Sequence, residues 1–164
     1  MITLHEDYLR SALFGVQDGL VSTTGVVVGI SSGVDDRSVL LLAAFVAVTV
    51  EASSMAAGQY SSEKAVHQAD TLGRHTDSLL VGAAIMFGSY LLAGLVPIAP
   101  MVLLDRPLAI PATVITALGM LLLVGYVKGR MVHVRPVRSA FELLAIGGIA
   151  TAIGLIVGNV LRVQ

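Results

Sequence analysis

The sequence predicts an all-α integral membrane protein with five transmembrane helices. Of its 164 residues, 55% are hydrophobic and only 13% are charged, and the mean hydropathy is +0.87. Soluble domains carry about 25% charged residues, and a chain this small leaves much of itself on the surface. A net charge of −1 and the absence of cysteine argue against a nucleic-acid binder and exclude a disulfide framework. The class that remains is a membrane protein.

The charged residues fall in a few short stretches that separate five apolar runs. Each run is continuous and has at least the length of about 20 residues that a helical span requires. Barrel strands would alternate over segments of about ten residues. The spans are predicted at about 11–31, 39–62, 79–104, 108–127 and 140–161.

The runs differ in what they contain. The first is glycine-rich, follows acidic residues and does not resemble a cleaved signal peptide. The second contains a carboxylate, and the third contains no charge. Glycines four residues apart predict close helix packing, and they occur in the first, fourth and fifth runs: Gly25, Gly29 and Gly33; Gly125 and Gly129; Gly154 and Gly158.

The positions of Lys and Arg predict the orientation. Seven lie on the face that holds the N-terminus and the loops 63–77 and 128–139, and three lie on the other face. The face richer in Lys and Arg is cytoplasmic in membrane proteins. We therefore expect a cytoplasmic N-terminus and an external C-terminus, in the inner or plasma membrane if the source is prokaryotic.

Two carboxylates, Asp18 and Glu51, lie inside apolar runs. An ionisable group in a membrane is costly and usually faces a cavity or a partner. On a helical period, Ser22 and Gly25 share one face with Asp18, which predicts a surface that lines a pathway or a subunit interface. Two purely structural alternatives stay open: Asp18 is hydrated near the interface, and Glu51 is a hydrogen-bonding residue of the packing.

Met55 follows Glu51 by one helical turn. A lone methionine in lipid is usually filler, but a thioether beside a carboxylate favours transition metals over Mg²⁺ and Ca²⁺. Asp18, Glu51 and Met55 are therefore the predicted metal ligands. In an apolar environment the carboxylates of Asp18 and Glu51 also take up protons more readily, and a bound metal expels those protons. This competition is the minimum that a metal–proton antiporter needs.

The segments FGVQDGLVSTTGVVVGIS and SSMAAGQYSSEKA carry a resemblance to the vacuolar iron transporter family, and the later spans are compatible with it. The resemblance implies a five-span homodimer that exports Fe²⁺, often also Mn²⁺, from the cytosol against protons. It places Asp18 and Met55 on the translocation path at the dimer interface. The substrate would be the metal itself, with no prosthetic group.

The sequence departs from this family at three places. Many members insert a glutamate-rich metal-binding domain where this chain has only a short cytoplasmic loop, 63–78. The family's usual GEY glutamate is Gln59, and Glu51 lies one turn from Ala47, where eukaryotic members carry a glutamate. Polar residues in and before the loop either form an accessory site where metal enters from the cytoplasm or belong to a solvated surface. They are Gln59, Glu63, His67, Asp70, His75 and Asp77.

The predicted function is export of Fe²⁺ or Mn²⁺ from the cytoplasm by proton antiport. The expected partners are the metal, protons, the bilayer and a second copy of the chain, and no nucleic acid. No pairing of a nucleophile with a base indicates an enzyme. One alternative is a proton-coupled exporter of organic cations, which the absence of tryptophan disfavours. The other is a non-transporting membrane scaffold.

Overall fold

A computed structural model describes residues 6–70 and 77–162, and in this part of the chain all regular structure is helical. The helices are α1 (Glu6–Gly33), α2 (Arg37–Ala69), α3 (Leu79–Leu103), α4 (Arg106–Met131) and α5 (Pro136–Val160). All five are long and apolar enough to cross a membrane. The prediction of five apolar helices is confirmed.

Helix α1 lies at the centre of the bundle, where it contacts each of the other four helices. Helix α2 packs against α1 and α3 and, over the described residues, does not contact α4 or α5. One face of α1 therefore lies open between α2 and α5. The outer faces of the helices are apolar, with Leu42, Leu92 and Ile115 about 70% exposed, as expected for surfaces that meet lipid.

Glycines allow the central helix to approach its neighbours at backbone distance. A Cβ atom added to Gly154 of α5 would lie 2.1 Å from the carbonyl oxygen of Gly25 in α1, and one added to Gly158 would lie 2.0 Å from that of Gly29. On the opposite side of α1, a Cβ on Gly19 would lie 2.4 Å from the carbonyl oxygen of Tyr90 in α3. The close packing predicted from the glycine spacing is confirmed for α1 and α5.

Helix α2 is the longest element, at 33 residues. At 1.5 Å per residue it spans about 50 Å, whereas a hydrocarbon core is about 30 Å thick. It begins at the side chain of Asp36, which accepts hydrogen bonds from the amides of Ser38 and Val39. At its other end it continues to Ala69, so the first seven residues of the region predicted as a loop are helical.

Candidate functional site

Polar side chains from three helices meet near the middle of the bundle. The Oε2 atom of Glu51 in α2 accepts hydrogen bonds from Ser22 Oγ of α1 at 2.8 Å and from the hydroxyl of Tyr90 of α3 at 2.5 Å. Tyr90 is 1% exposed. The two hydroxyl groups fix the Glu51 carboxylate between α1 and α3. Together with Asp18 and Met55, these residues form what we call the mid-bundle site.

Asp18 lies one turn before Ser22 on α1, close enough for its charge to interact with that of Glu51. Among the described residues, nothing donates a hydrogen bond to the Asp18 carboxylate, and no cationic side chain pairs with either acid. Buried charges in proteins are normally paired or bound to a metal. The mid-bundle site thus holds two acids whose negative charge no described side chain neutralises.

Met55 follows Glu51 by one turn of α2, on the same helix face. Its side chain is partly buried against a core cluster that includes Tyr90 and Ala52. The thioether therefore lies one helical turn from the Glu51 carboxylate, at the edge of the apolar core.

Ser22 and Gly25 line an open groove of about 570 Å³ between α1 and α5. Most of the other lining residues are Val, Ile, Leu, Ala and Gly. Since Ser22 also binds Glu51, one end of the groove reaches the mid-bundle site. Ser22 shares a helix face with Asp18, but it donates its hydroxyl to Glu51.

The residues predicted as an accessory metal entry lie at the end of α2, beyond the mid-bundle site. Gln59 Nε2 donates to Ser11 Oγ and to Glu63 Oε1, both at 3.0 Å. Arg10 forms an ion pair with the same Glu63 oxygen. These contacts tie the end of α2 to the beginning of α1.

Three of these residues form what we call the helix-end cluster: Glu63, His67 and Asp77. Their ligand atoms all lie within 4.8 Å of one another, and His67 Nε2 is 3.1 Å from Asp77 Oδ1. Asp70 is outside this group and forms the C-cap of α2. His75 lies outside the described residues.

Tyr90 is the mid-bundle residue that the sequence did not reveal. Its signal is the tyrosine of MFGSYLLAG, placed in an otherwise apolar helix. A buried tyrosine hydroxyl usually requires a hydrogen-bond partner, but the partner lies on another helix, and the sequence alone does not identify it.

Comparison with known proteins identifies the same family for both halves of the chain. The profile of the VIT family matches residues 9–75 and 66–159. Vacuolar iron transporter 1 of Arabidopsis thaliana is 36% identical over 75 residues, which are 45% of this chain and 30% of that protein. Vacuolar iron transporter 2 of Oryza sativa subsp. japonica is 40% identical over 76 residues, 44% of this chain and 30% of that protein.

A longer alignment exists with vacuolar iron transporter homolog 2 of Arabidopsis thaliana, 24% identical over 157 residues, covering 89% of this chain and 80% of that protein. The chain thus aligns with less than a third of the first two relatives and with most of the third. Because the two profile matches together span nearly all of the sequence, this chain belongs to the VIT family.

Proposed function

We propose that this protein transports Fe²⁺ or Mn²⁺ across a membrane, out of the cytoplasm and in exchange for protons. The observation that carries the proposal is a pair of acids, Asp18 and Glu51, in the middle of an apolar helix bundle, with no cationic partner among the described residues. An unpaired charge is expensive at membrane depth. A mobile cation, either a proton or a metal ion, removes that cost.

The donor atoms favour transition metals as cargo. Asp18 and Glu51 supply oxygen, and Met55 supplies a polarisable sulfur one turn from Glu51. Oxygen ligands alone suit Mg²⁺, Ca²⁺ and Mn²⁺, whereas added sulfur shifts affinity towards softer ions. Ser22 and Tyr90 are positioning residues that hold the Glu51 carboxylate in place. The relatives are named vacuolar iron transporters, which agrees with iron as the cargo.

Proton coupling follows from competition at the same carboxylates. Metal binding requires deprotonated ligands and releases their protons. When the metal leaves, the negative charges of the two acids repel each other, no cationic side chain among the described residues neutralises them, and they take up protons again. Each cycle therefore moves metal in one direction and protons in the other.

We propose that a second copy of the chain completes the wall of the transport pathway. The face of α1 between α2 and α5 is open, and the groove along it is apolar except near Ser22. Most oligomers are symmetric dimers that use one self-complementary surface. Two copies joined across α1 would enclose the mid-bundle site between them, away from lipid.

The direction of transport is proposed from the charges at the helix ends. The start of α1, the end of α2, and the segment from the end of α4 to the start of α5 carry most of the Lys and Arg residues. By the positive-inside rule this end faces the cytoplasm. The helix-end cluster would then lie on the side from which metal is taken up.

The experiment is metal uptake into proteoliposomes that contain the purified protein. Uptake of Fe²⁺, Mn²⁺, Co²⁺, Zn²⁺ and Mg²⁺ is measured with and without a pH gradient, with a lipophilic organic cation as a further substrate. We expect Fe²⁺ and Mn²⁺ uptake well above that of Mg²⁺. Asp18→Asn should reduce uptake to the level of protein-free vesicles, and Met55→Ala should reduce Fe²⁺ uptake more than Mn²⁺ uptake.

Two matched variants control for the loss of a carboxylate or a methionine anywhere in the chain. Asp105 is exposed at the start of α4, and its side chain makes no capping hydrogen bond. Met131 is 46% exposed at the end of α4. Asp105→Asn and Met131→Ala should transport like the unmodified protein. Absence of flux for every metal would overturn the proposal in favour of a scaffold, and flux of the organic cation alone would favour the other alternative.

A further inference from the structure

The helix-end cluster brings two carboxylates and one imidazole together outside the mid-bundle site. Glu63 and His67 are one turn apart on α2, and Asp77 comes just before α3. Glu63 is 4% exposed and Asp77 is 8% exposed, although both lie near the end of the bundle where solvated side chains would be expected. Their burial indicates that the fold holds these acids in place.

Three contacts hold the cluster together. His67 Nε2 lies 3.1 Å from Asp77 Oδ1, and the amide of Ser78 donates to the Tyr8 hydroxyl at 2.7 Å, which fixes the residue after Asp77 to α1. Gln59 Nε2 holds Glu63 Oε1 at 3.0 Å. Elements α1, α2 and α3 therefore converge on three potential ligands whose donor atoms are within 4.8 Å of one another.

Each of the two acids retains an unused oxygen. Arg10 and Gln59 both donate to Oε1 of Glu63, and within the described residues no donor contacts its Oε2. Asp77 contacts His67 through Oδ1, and no described residue donates to its Oδ2. Polar atoms of buried groups normally have partners. Two nearly buried carboxylates with free oxygens beside an imidazole provide the donors that a divalent cation needs.

We propose that Glu63, His67 and Asp77 bind one divalent transition-metal ion. The ligand set of two carboxylates and one imidazole suits Mn²⁺, Fe²⁺, Co²⁺ and Zn²⁺ better than Ca²⁺ or Mg²⁺. Water would complete the coordination. Gln59 is a positioning residue for Glu63, and Asp70 lies outside the group of ligand atoms that are close to one another.

A metal ion at this site would compete with Arg10 for Glu63. The side chain of Arg10 is 61% exposed, whereas that of Glu63 is 5% exposed. The guanidinium can therefore move into solvent while the carboxylate stays in place. The role of this site in capturing cargo before transport rests on the proposed function. Metal binding at the site does not depend on that function.

The experiment measures Mn²⁺ binding to the full-length protein in detergent, from the loss of the electron paramagnetic resonance signal of free Mn²⁺. It is done in an Asp18→Asn background, so that binding at the mid-bundle site is impaired. We expect about one Mn²⁺ per chain to remain. His67→Gln and Asp77→Asn, each added to this background, should weaken the binding by about tenfold or more.

The matched control is His133→Asn. His133 lies after α4, away from the cluster, and its φ of 55° is one that asparagine tolerates. This variant should bind Mn²⁺ with unchanged affinity. As a second measurement, Mn²⁺ should raise the thermal unfolding temperature of the parent protein and of His133→Asn, but not that of His67→Gln.

Two results would overturn the proposal: no Mn²⁺ binding by folded Asp18→Asn protein, or equal binding by His67→Gln and its parent. Either would mean that the cluster is an ion-pair network only. Failure of the proposed function gives a different pattern, with no flux into proteoliposomes while Mn²⁺ binding at the cluster persists. The two hypotheses can therefore fail separately.

Discussion

The mid-bundle site and the helix-end cluster both contain two acids, but they neutralise negative charge differently. At the helix end, Glu63 pairs with Arg10 and Asp77 contacts His67. In the middle of the bundle, Glu51 has only hydroxyl partners and Asp18 has no hydrogen bond from the described residues. The helix-end acids thus have a cationic or imidazole partner within the chain, whereas the mid-bundle acids have no cationic partner among the described residues.

Among variants that keep both acids of the mid-bundle site, the largest predicted effect concerns the hydroxyl groups that hold Glu51. Tyr90→Phe and Ser22→Ala each remove one hydrogen bond to Oε2 and leave the helix packing nearly unchanged. Loss of such a supporting partner costs about 10–100-fold in metal affinity or activity. We expect Mn²⁺ uptake into proteoliposomes to fall by that factor in each variant.

Tyr126→Phe is the control, because Tyr126 is 43% exposed and belongs to α4, outside the mid-bundle site. Its uptake should equal that of the unmodified protein. Uptake by Tyr90→Phe at the unmodified rate would show that the position of Glu51 does not depend on the tyrosine.

The second prediction concerns the helix-end ion pair. Arg10→Gln leaves the nearly buried Glu63 without its cationic partner. A buried group short of a partner costs about 1–3 kcal/mol. The free energy of unfolding in detergent, measured with a denaturant, should fall by this amount.

Arg138→Gln provides the comparison at the same end of the bundle. Arg138 pairs with Glu142, but these side chains are 77% and 58% exposed, and exposed pairs contribute about 0–1 kcal/mol. If the free energy of unfolding falls by the same small amount in both variants, the burial of Glu63 has no energetic consequence. The contrast between the helix-end cluster and the mid-bundle site would then be weaker than we infer.

The smallest predicted effect is on stability at Asp18. Because this carboxylate has no hydrogen bond to lose among the described residues, Asp18→Asn should leave the free energy of unfolding unchanged within about 0.5 kcal/mol or raise it. Thermal and denaturant unfolding in detergent measure this directly. A clear loss of stability would mean that a structural partner holds Asp18, so that its acid is part of the packing.

Much of the fold can be predicted from the sequence, because a helix that crosses lipid must be apolar over about 20 residues. Five apolar runs of sufficient length give five helices. The end of α2 is different, since apolar character stops near residue 62 while the helix continues to Ala69. Glu63 and His67 are polar, yet they face inwards because they pair there with Arg10 and Asp77, which come from other parts of the chain.

Part of the candidate site follows from the sequence for the same reason. Asp18 and Glu51 are conspicuous because charge is rare in an apolar run. The role of Tyr90 could not be predicted, because α3 brings it to Glu51 only in the folded bundle. Similarly, the spacing of Gly154 and Gly158 predicted a packing surface, but only the fold shows that α1 is the partner.

The proposed competition of metal and protons for the acids of the mid-bundle site is tested most directly by coupled flux. Proteoliposomes that enclose a pH-sensitive dye and an acidic lumen are given external Mn²⁺. We predict that Mn²⁺ entry makes the lumen more alkaline, that the imposed gradient accelerates entry, and that Asp18→Asn abolishes both effects. Mn²⁺ entry with no change in lumenal pH, at a rate independent of the gradient, would contradict the account.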